Sequence, residues 1–210
     1  MKAVVFVDVQ NDFVKGGKLS YGYPVEDNTQ KVVDFAKRCV ADTNCKIYAT
    51  RDTHEKTVFE DLGTIFKFDR LGRVDDTEKI NGRPTVGYLA TLEGKKLPVE
   101  HCVEGTEGWQ IVDGLMEVLS GNCTFINKPT FGSYDLVDII AEDFETAPDE
   151  IIICGYDLGI CVISNAVLLR AKYPNAKITV RTDLCGCVNE QTFKAACEVL
   201  KLQQIELSEV

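Results

Sequence analysis

Three side chains of reactive types stand where apolar stretches of the chain end. Asp8 and Lys128 each follow such a stretch directly, and Cys161 follows another after a short turn. A carboxylate can accept and return a proton, an ammonium can hold an anion, and a thiolate can attack a carbonyl carbon. A single lysine or cysteine in such a place is usually a surface or core residue. The three together predict a nucleophilic site.

Cys161 also stands at the start of a helical pattern that ends before Pro174. The backbone N–H groups at the beginning of a helix stabilise a negative charge, so this position favours the thiolate. We therefore expect the pKa of the Cys161 thiol to lie below its usual range.

A second set of residues has the chemistry of a metal site. The chain has two histidines, His54 and His101, and Asp52 stands two residues before the first. In an extended segment, residues two apart point to the same side. One aspartate and two histidines can hold Zn²⁺, Mn²⁺ or Fe²⁺ and leave positions for water or substrate. An Asp-x-His pair is a weak signal by itself. A metallohydrolase with a metal-held water nucleophile and a passive Cys161 is the alternative reading.

The rest of the chain supplies the elements that must position these groups. Short apolar runs without alternation, separated by helical patterns, predict a parallel sheet covered by helices on both faces. The fold class is thus α/β, with three α/β/α layers around a mostly parallel sheet of about six strands. The predicted strands are 3–7, 46–50, 123–127, 150–155, 177–182 and 204–207, and helical patterns cover 32–40, 135–144, 161–173 and 190–200.

Ligands bind at the carboxyl ends of the strands in such sheets. The positions of Asp8, Lys128 and Cys161 place all three at that edge. We expect the strands before Asp8 and Lys128 to neighbour the strand that leads to Cys161.

Charge and apolar content exclude several classes of partner. The 33 acidic residues exceed the 23 basic ones, which gives a net charge of −10. No basic cluster is present, so nucleic acid and anionic membrane surfaces are disfavoured. The longest uncharged apolar run, 158–169, is too short for a span of about 20 residues. Asp8 interrupts the first apolar run too early for a secretory signal.

Length and cysteine content predict one cytoplasmic domain. A chain of 210 residues can bury a sufficient core without a disulfide or metal, so we expect a single domain over residues 1–210. Its nine scattered cysteines contain no CxxC pair and indicate reduced thiols. Residues 55–110 are weakly periodic and bear several glycines, which predicts a few short strands and a lid-like role.

Five segments in order resemble the signatures of isochorismatase-like cysteine hydrolases, most closely those of nicotinamidases. They extend over nearly the whole chain, which makes the set far more specific than any member. The segments are Val7-Asp8-Val9-Gln10-Asn11-Asp12-Phe13, Thr50-Arg51-Asp52-Thr53-His54, His101-Cys102-Val103-Glu104-Gly105-Thr106, Lys128-Pro129-Thr130-Phe131-Gly132-Ser133 and Cys161-Val162.

The resemblance implies a role for each matching position. It implies a Rossmann-like fold, hydrolysis of a small amide through a thioester on the cysteine, and nicotinamide as the substrate. One divalent metal ion is implied, zinc before manganese or iron, and a homo-oligomer. The implied catalytic residues are Asp8, Lys128 and Cys161; the oxyanion-hole N–H groups belong to Asp157 and Cys161; Phe13 and Tyr156 contact the substrate; the metal ligands are Asp52, His54 and His101.

Three departures from the nicotinamidase pattern bear on the substrate. No third histidine follows His54, and Pro98 stands where a tryptophan usually precedes the second metal histidine. Trp109 cannot be assumed to replace it. The turn 156–160 before the nucleophile also differs, and its resemblance implies a cis peptide bond at Tyr156–Asp157 that sequence cannot show. Another small amide or a carbamoyl compound is therefore an alternative substrate. A non-catalytic binding protein and a vinyl ether hydrolase are less favoured, because the three catalytic positions are complete.

Overall fold

Six parallel strands form the central sheet of the protein. The computed structural model describes residues 1–59, 79–80 and 83–208. The strand order is β6-β2-β1-β7-β8-β9. The strands are β1 Lys2–Val7, β2 Cys45–Asp52, β6 Thr124–Lys128, β7 Glu150–Gly155, β8 Lys177–Cys185 and β9 Glu206–Ser208. The predicted α/β fold with about six strands is confirmed.

The central strands are covered on both faces. Five consecutive residues of β1, Ala3–Val7, are buried, so the side chains on both faces of this strand lie in the core. Helix α1 packs against α3, and α5 packs against both α4 and α6. The helices are α1 Thr29–Ala41, α2 Leu92–Lys96, α3 Asp113–Leu119, α4 Tyr134–Asp143, α5 Ile163–Lys172 and α6 Glu190–Leu202.

The helices form where sequence spacing and capping groups favour them. In α1, Val32, Ala36 and Cys39 recur at helical spacing and are buried. The Ser133 hydroxyl accepts a hydrogen bond from an N–H in the first turn of α4, and the Asn189 side chain does the same for α6. Helix α3 was not among the predicted helical patterns.

One expectation about strand order is wrong. β1 neighbours β7, so Asp8 follows the neighbour of the strand that leads to Cys161. β6, which ends at Lys128, is instead an edge strand, separated from β7 by β2 and β1. Lys128 pairs in register with Asp52 at the end of β2. From this edge strand the Lys128 side chain still reaches Asp8 at the end of β1. Apolar patterns alone do not encode the order of the strands in the sheet.

The region 55–110 contains a small antiparallel sheet in the order β3-β5-β4. Its strands are β3 Val58–Phe59, β4 Lys79–Ile80 and β5 Arg83–Val86, and a 3-10 turn, Tyr88–Ala90, precedes α2. Residues 60–78 and 81–82 lie outside the described residues. The lid-like role and the single domain over 1–210 stay predictions. Among the described residues, no helix has the length and apolar character needed to cross a membrane.

A substitution at Gly155, at the end of β7, tests how closely β1 and β7 approach each other. The φ of Gly155 is +127°, and a Cβ there would lie 2.0 Å from the carbonyl oxygen of Val7. We expect Gly155→Ala to lower the free energy of unfolding by about 2 kcal/mol or more in urea titrations, because both strain and a clash result. Gly22→Ala is the control, since its Cβ would meet nothing closer than 3.4 Å. Equal effects of the two substitutions would contradict this account.

Candidate active site

Asp8, Lys128 and Cys161 meet at the carboxyl ends of the strands. The Lys128 ammonium lies 2.7 Å from Asp8 Oδ2 and 3.5 Å from Cys161 Sγ. Asp8 follows β1 with a φ of 50°, and its Oδ1 accepts a 2.6 Å hydrogen bond from the Thr50 hydroxyl. All three side chains are buried. The structure therefore brings together the three residues predicted to carry the chemistry.

The surroundings of these groups determine where the protons reside. Burial raises the pKa of Asp8, and the charge of Lys128 opposes this effect. Burial also raises the pKa of the Cys161 thiol well above its ordinary value, although Lys128 again acts in the opposite direction. Burial disfavours the charge of Lys128, but its acidic neighbours, Asp8 foremost, more than offset this and raise the pKa of its ammonium. The site thus holds a charged lysine beside a neutral thiol.

The expectation of a lowered thiol pKa is therefore contradicted. Cys161 lies in a π-helical turn, Leu158–Val162, and α5 begins only at Ile163. In a buried position the loss of hydration outweighs the N–H groups and the nearby cation. The thiol needs a base to become a nucleophile, and Asp8 is the carboxylate beside it.

Four side chains that could hold a metal ion converge on the other side of Lys128. Asp52, His54, Glu93 and His101 each offer a donor atom, and these atoms lie within 4.8 Å of one another. Asp52 Oδ2 is 2.9 Å from His54 Nε2 and 3.4 Å from His101 Nε2. Glu93 Oε1 is 3.7 Å and 3.6 Å from the same two nitrogens. Lys128 connects this cluster to the nucleophile, because its ammonium is 3.5 Å from Asp52 Oδ1.

The donor set fits a divalent ion such as Zn²⁺. Two imidazoles and two carboxylates match the nitrogen and oxygen ligands that zinc takes in tetrahedral sites. His101 Nδ1 lies 2.7 Å from the Val99 carbonyl, an arrangement in which Nδ1–H donates and Nε2 is free to bind a metal. Burial of Asp52 is opposed by the Lys128 charge and by the nearby histidines, which together lower the pKa of its carboxyl. Burial and the Asp52 charge raise the pKa of Glu93.

A cavity of about 670 Å³ joins the two groups. Cys161 and the four metal-binding side chains line it, and so does Phe13. The Phe13 ring stacks on Tyr21 with 5.5 Å between centroids and approaches the His101 ring at 5.6 Å. The remaining lining is mixed and includes three aliphatic side chains, Leu92, Leu97 and Ile160, and the aromatic Phe131.

The predicted oxyanion-hole residues are Cys161 and, in the turn before it, Asp157. Asp157 and Cys161 both line the cavity. The Asp157 carbonyl accepts hydrogen bonds from the N–H groups of Ile160 and Val162, and its Oδ1 accepts one from Gly159 N–H. The peptide bond before Asp157 is cis.

Tyr156 occupies a different place from the one its predicted role requires. Its ring is buried, and its hydroxyl donates a hydrogen bond to Asn28 Oδ1. The side chain therefore supports the turn from behind, where it does not face a substrate beside Cys161. Trp109 also lies away from the cavity wall, with its Nε1–H bonded to Thr53 and its ring 4.1 Å from the Arg51 guanidinium.

Glu93 is the member of the cluster that sequence reasoning missed. It lies in α2, a five-residue helix whose first turn is capped by the Thr91 hydroxyl. The chain has 33 acidic residues, and nothing in the spacing around Glu93 distinguishes it from the others. The missing third histidine after His54 is the one sequence signal that leaves room for another side chain in the set.

Comparisons with known proteins identify the family of the chain and proteins of similar fold. The family model for the isochorismatase domain matches residues 2–210. The fold is similar to a nicotinamidase/pyrazinamidase of Bacillus subtilis (TM-score 0.72, 18% identity, 99% of both chains). It is also similar to a pyrazinamidase of Pyrococcus horikoshii solved with zinc (0.68, 19%, 100% of this chain and 99% of that one). A yeast nicotinamidase bound to nicotinaldehyde gives 0.66 and 19% over 100% of both chains. A search of curated proteins gives no match.

Asp157 allows a test of the buried turn by pH. Burial raises the pKa of its carboxyl from 3.8 to about 6. Each pKa unit corresponds to about 1.4 kcal/mol, so ionisation costs the folded state up to about 3 kcal/mol. The raised pKa means that this penalty is absent below about pH 4, grows as the pH rises, and is complete above about pH 6.

We expect Asp157→Asn to be more stable than the wild type at about pH 7.5 and to lose that advantage at about pH 4. The asparagine oxygen still accepts the Gly159 N–H, so the turn keeps its cap. Urea unfolding of both proteins at the two pH values measures the difference in their free energies of unfolding. The contributions of the other carboxylates are the same in both proteins and cancel. A stability difference that does not change with pH would contradict the assigned burial.

Proposed function

Because the chain belongs to the isochorismatase family, we propose that it is an amidohydrolase with Cys161 as its nucleophile and nicotinamide as its first candidate substrate. The observation that carries the proposal is the contact of Lys128 with both Asp8 and Cys161, the last of which lines the cavity. A neutral thiol, a carboxylate with a raised pKa and a fixed cation are the groups that acyl transfer through a thioester requires.

The proposed first half-reaction forms a thioester and releases ammonia. Asp8 takes the Cys161 proton, and its raised pKa makes it a better acceptor than an ordinary carboxylate. The sulfur attacks the amide carbon while Lys128 stabilises the negative charge. The N–H groups of Asp157 and Cys161 hold the developing oxyanion, where each such donor contributes about 3 kcal/mol. Asp8 then gives its proton to the leaving nitrogen.

Water completes the proposed reaction. It attacks the thioester carbonyl as Asp8 accepts one of its protons; the carbon–sulfur bond then breaks, and Asp8 returns that proton to the departing sulfur, which gives the carboxylic acid and the free thiol. The same two N–H groups hold the second oxyanion. Asp8 thus acts in both halves of the cycle, each time first as a base and then as an acid.

The metal cluster supports binding in this proposal. Zn²⁺ is the first candidate ion, before Mn²⁺ or Fe²⁺, and it would be held by four side chains: Asp52, His54, Glu93 and His101. When bound, it would supply Lewis acidity toward a pyridine nitrogen or a water. Phe13 presents a ring face to a flat substrate on the same side of the cavity. Both features match the parts of a pyridine carboxamide.

A second candidate, another small amide or a carbamoyl compound, is favoured by the aliphatic part of the lining. Leu92, Leu97 and Ile160 line the cavity together with the aromatic Phe131, and Pro98 stands where nicotinamidases usually have a tryptophan. Aliphatic side chains pack on a flexible substrate as well as on a flat ring. The homo-oligomeric state and cytoplasmic location implied by the resemblance stay predictions.

The metal-water alternative is less consistent with the geometry. Catalytic zinc sites keep one coordination position open beside three protein ligands. Here four donor groups lie within reach of one ion, one more than the protein ligands of such a site. The thiol is also in direct contact with the Lys128 ammonium, which has no role in a reaction carried out by metal-held water.

Cys161→Ala tests the nucleophile. We expect ammonia release from nicotinamide, or from another member of a panel with pyrazinamide, benzamide and carbamoyl compounds, to fall at least about 1,000-fold. Cys123→Ala is the control, since that thiol lies at the start of β6 away from the cavity. Turnover that persists in Cys161→Ala but disappears with a chelator would support the metal-water alternative instead.

His54→Ala and Glu93→Gln test the metal site. We expect His54→Ala to abolish binding of one Zn²⁺ per chain, and Glu93→Gln to weaken it about 10- to 100-fold, because each removes a donor from the cluster. Isothermal titration of the metal-free protein measures both. Glu104→Gln, an exposed residue three positions after His101, should bind as the wild type does. Unchanged affinity in Glu93→Gln would remove that residue from the ligand set.

A further inference from the structure

The segment that follows β1 holds more of the site than Asp8 alone. Asp8, Gln10 and Asp12 are all buried, with 0%, 0% and 4% of their surfaces exposed. The backbone of this segment is tied to the loop that follows His101: Asn11 N–H bonds to the Gln110 carbonyl, and Asp12 N–H to that of Gly108. The reaction uses Asp8 and gives no role to the other two buried polar side chains.

The side-chain amide of Gln10 grips the backbone of Asp52 at two points. Its Nε2 donates to the Asp52 carbonyl at 2.9 Å, and its Oε1 accepts from the Asp52 N–H at 2.8 Å. The second Nε2 hydrogen goes to the Trp109 carbonyl, also at 2.9 Å. Gln10 thus bonds both backbone groups of one metal-binding residue and joins them to the loop that follows His101.

Asp12 makes a comparable contact with the backbone next to His101. Its Oδ2 accepts a 2.8 Å hydrogen bond from the N–H of Cys102, the residue after His101. Cys102 has a φ of 45°, a left-handed conformation that costs a non-glycine residue energy and needs support. The loop approaches so closely that a Cβ on Gly108 would lie 2.2 Å from the Asp12 carboxylate.

We propose that Gln10 and Asp12 are positioning residues of the metal centre, with Gln10 fixing Asp52 and Asp12 fixing His101 relative to each other. The inference rests on the metal site put forward under the proposed function. Asp52 and His101 come from segments 49 residues apart in sequence, so their spacing depends on whatever connects the two segments. Partners that orient metal-binding side chains typically contribute about 10- to 100-fold in affinity.

Gln10→Met is the main test, because methionine keeps the length of the side chain and removes its three hydrogen bonds. We expect Zn²⁺ affinity of the metal-free protein, measured by isothermal titration, to fall about 10- to 100-fold. The visible spectrum of the Co²⁺ form should change in shape, since the ligands no longer hold the same geometry. Asn11→Ala is the matched control: Asn11 donates to the Glu107 carbonyl of the same loop at 2.9 Å but contacts no ligand residue.

Asp12 supplies a second pair of variants with a graded expectation. Asp12→Asn keeps an oxygen that can accept the Cys102 N–H, so it should retain most of the affinity that Asp12→Ala loses. The melting temperature of each metal-free protein reports general loss of stability. This pair decides the question if Gln10→Met does not fold.

Three outcomes separate this inference from its premise. Zn²⁺ affinity within about twofold of wild type and an unchanged Co²⁺ spectrum in folded Gln10→Met or Asp12→Ala would overturn it. A wild-type protein that binds no Zn²⁺ would remove the metal site and the inference with it. A wild type that binds Zn²⁺ but hydrolyses no amide would contradict the proposed reaction only, and the metal titrations would still support the positioning roles.

Discussion

A single buried ammonium holds the two halves of the site together. Lys128 Nζ lies within 3.5 Å of Asp8, Asp52 and Cys161, and almost none of its side chain is exposed. Placing a charge in such a position is costly unless opposite charges surround it. Two buried carboxylates, Asp8 and Asp52, compensate this lysine, and Lys128 in turn stabilises their negative charge. The nucleophile and the metal cluster are therefore parts of one electrostatic unit.

The parallel sheet makes this convergence possible. Asp8, Asp52 and Lys128 stand at the ends of β1, β2 and β6, and the turn that carries Cys161 follows β7. Parallel strands place all these ends at one edge, where loops can differ without disturbing the core. The tight approach of β1 and β7 at Gly155 then sets the distance from Asp8 to the turn of Cys161. Strand order thus has a direct chemical consequence.

The sequence predicts the parts of this design that depend on local patterns. Uninterrupted apolar runs located the six strands, and the residues that follow them include all three catalytic candidates. β8 extends three residues beyond its predicted end, through Leu184 and Cys185, because both are buried at the edge of the site. The apolar pattern does not contain the spatial order of the strands. In the sheet, β6 with Lys128 lies three positions from β7. Glu93 was missed for a similar reason, since a short helix in a weakly periodic region brings it to the histidines through tertiary contacts alone.

The same tertiary contacts explain why Cys161 is both reactive in the proposal and protected at rest. Thiolates react with oxidants and metals, whereas buried thiols with raised pKa values are inert. Cys161 belongs to the second class because burial dominates its environment. Lys128 stabilises the anion only once a proton has moved to Asp8, which is itself poised by burial to accept it. In the proposed reaction the anion therefore forms when its proton has a destination, and the site generates its nucleophile at the moment of reaction without keeping it charged between turnovers.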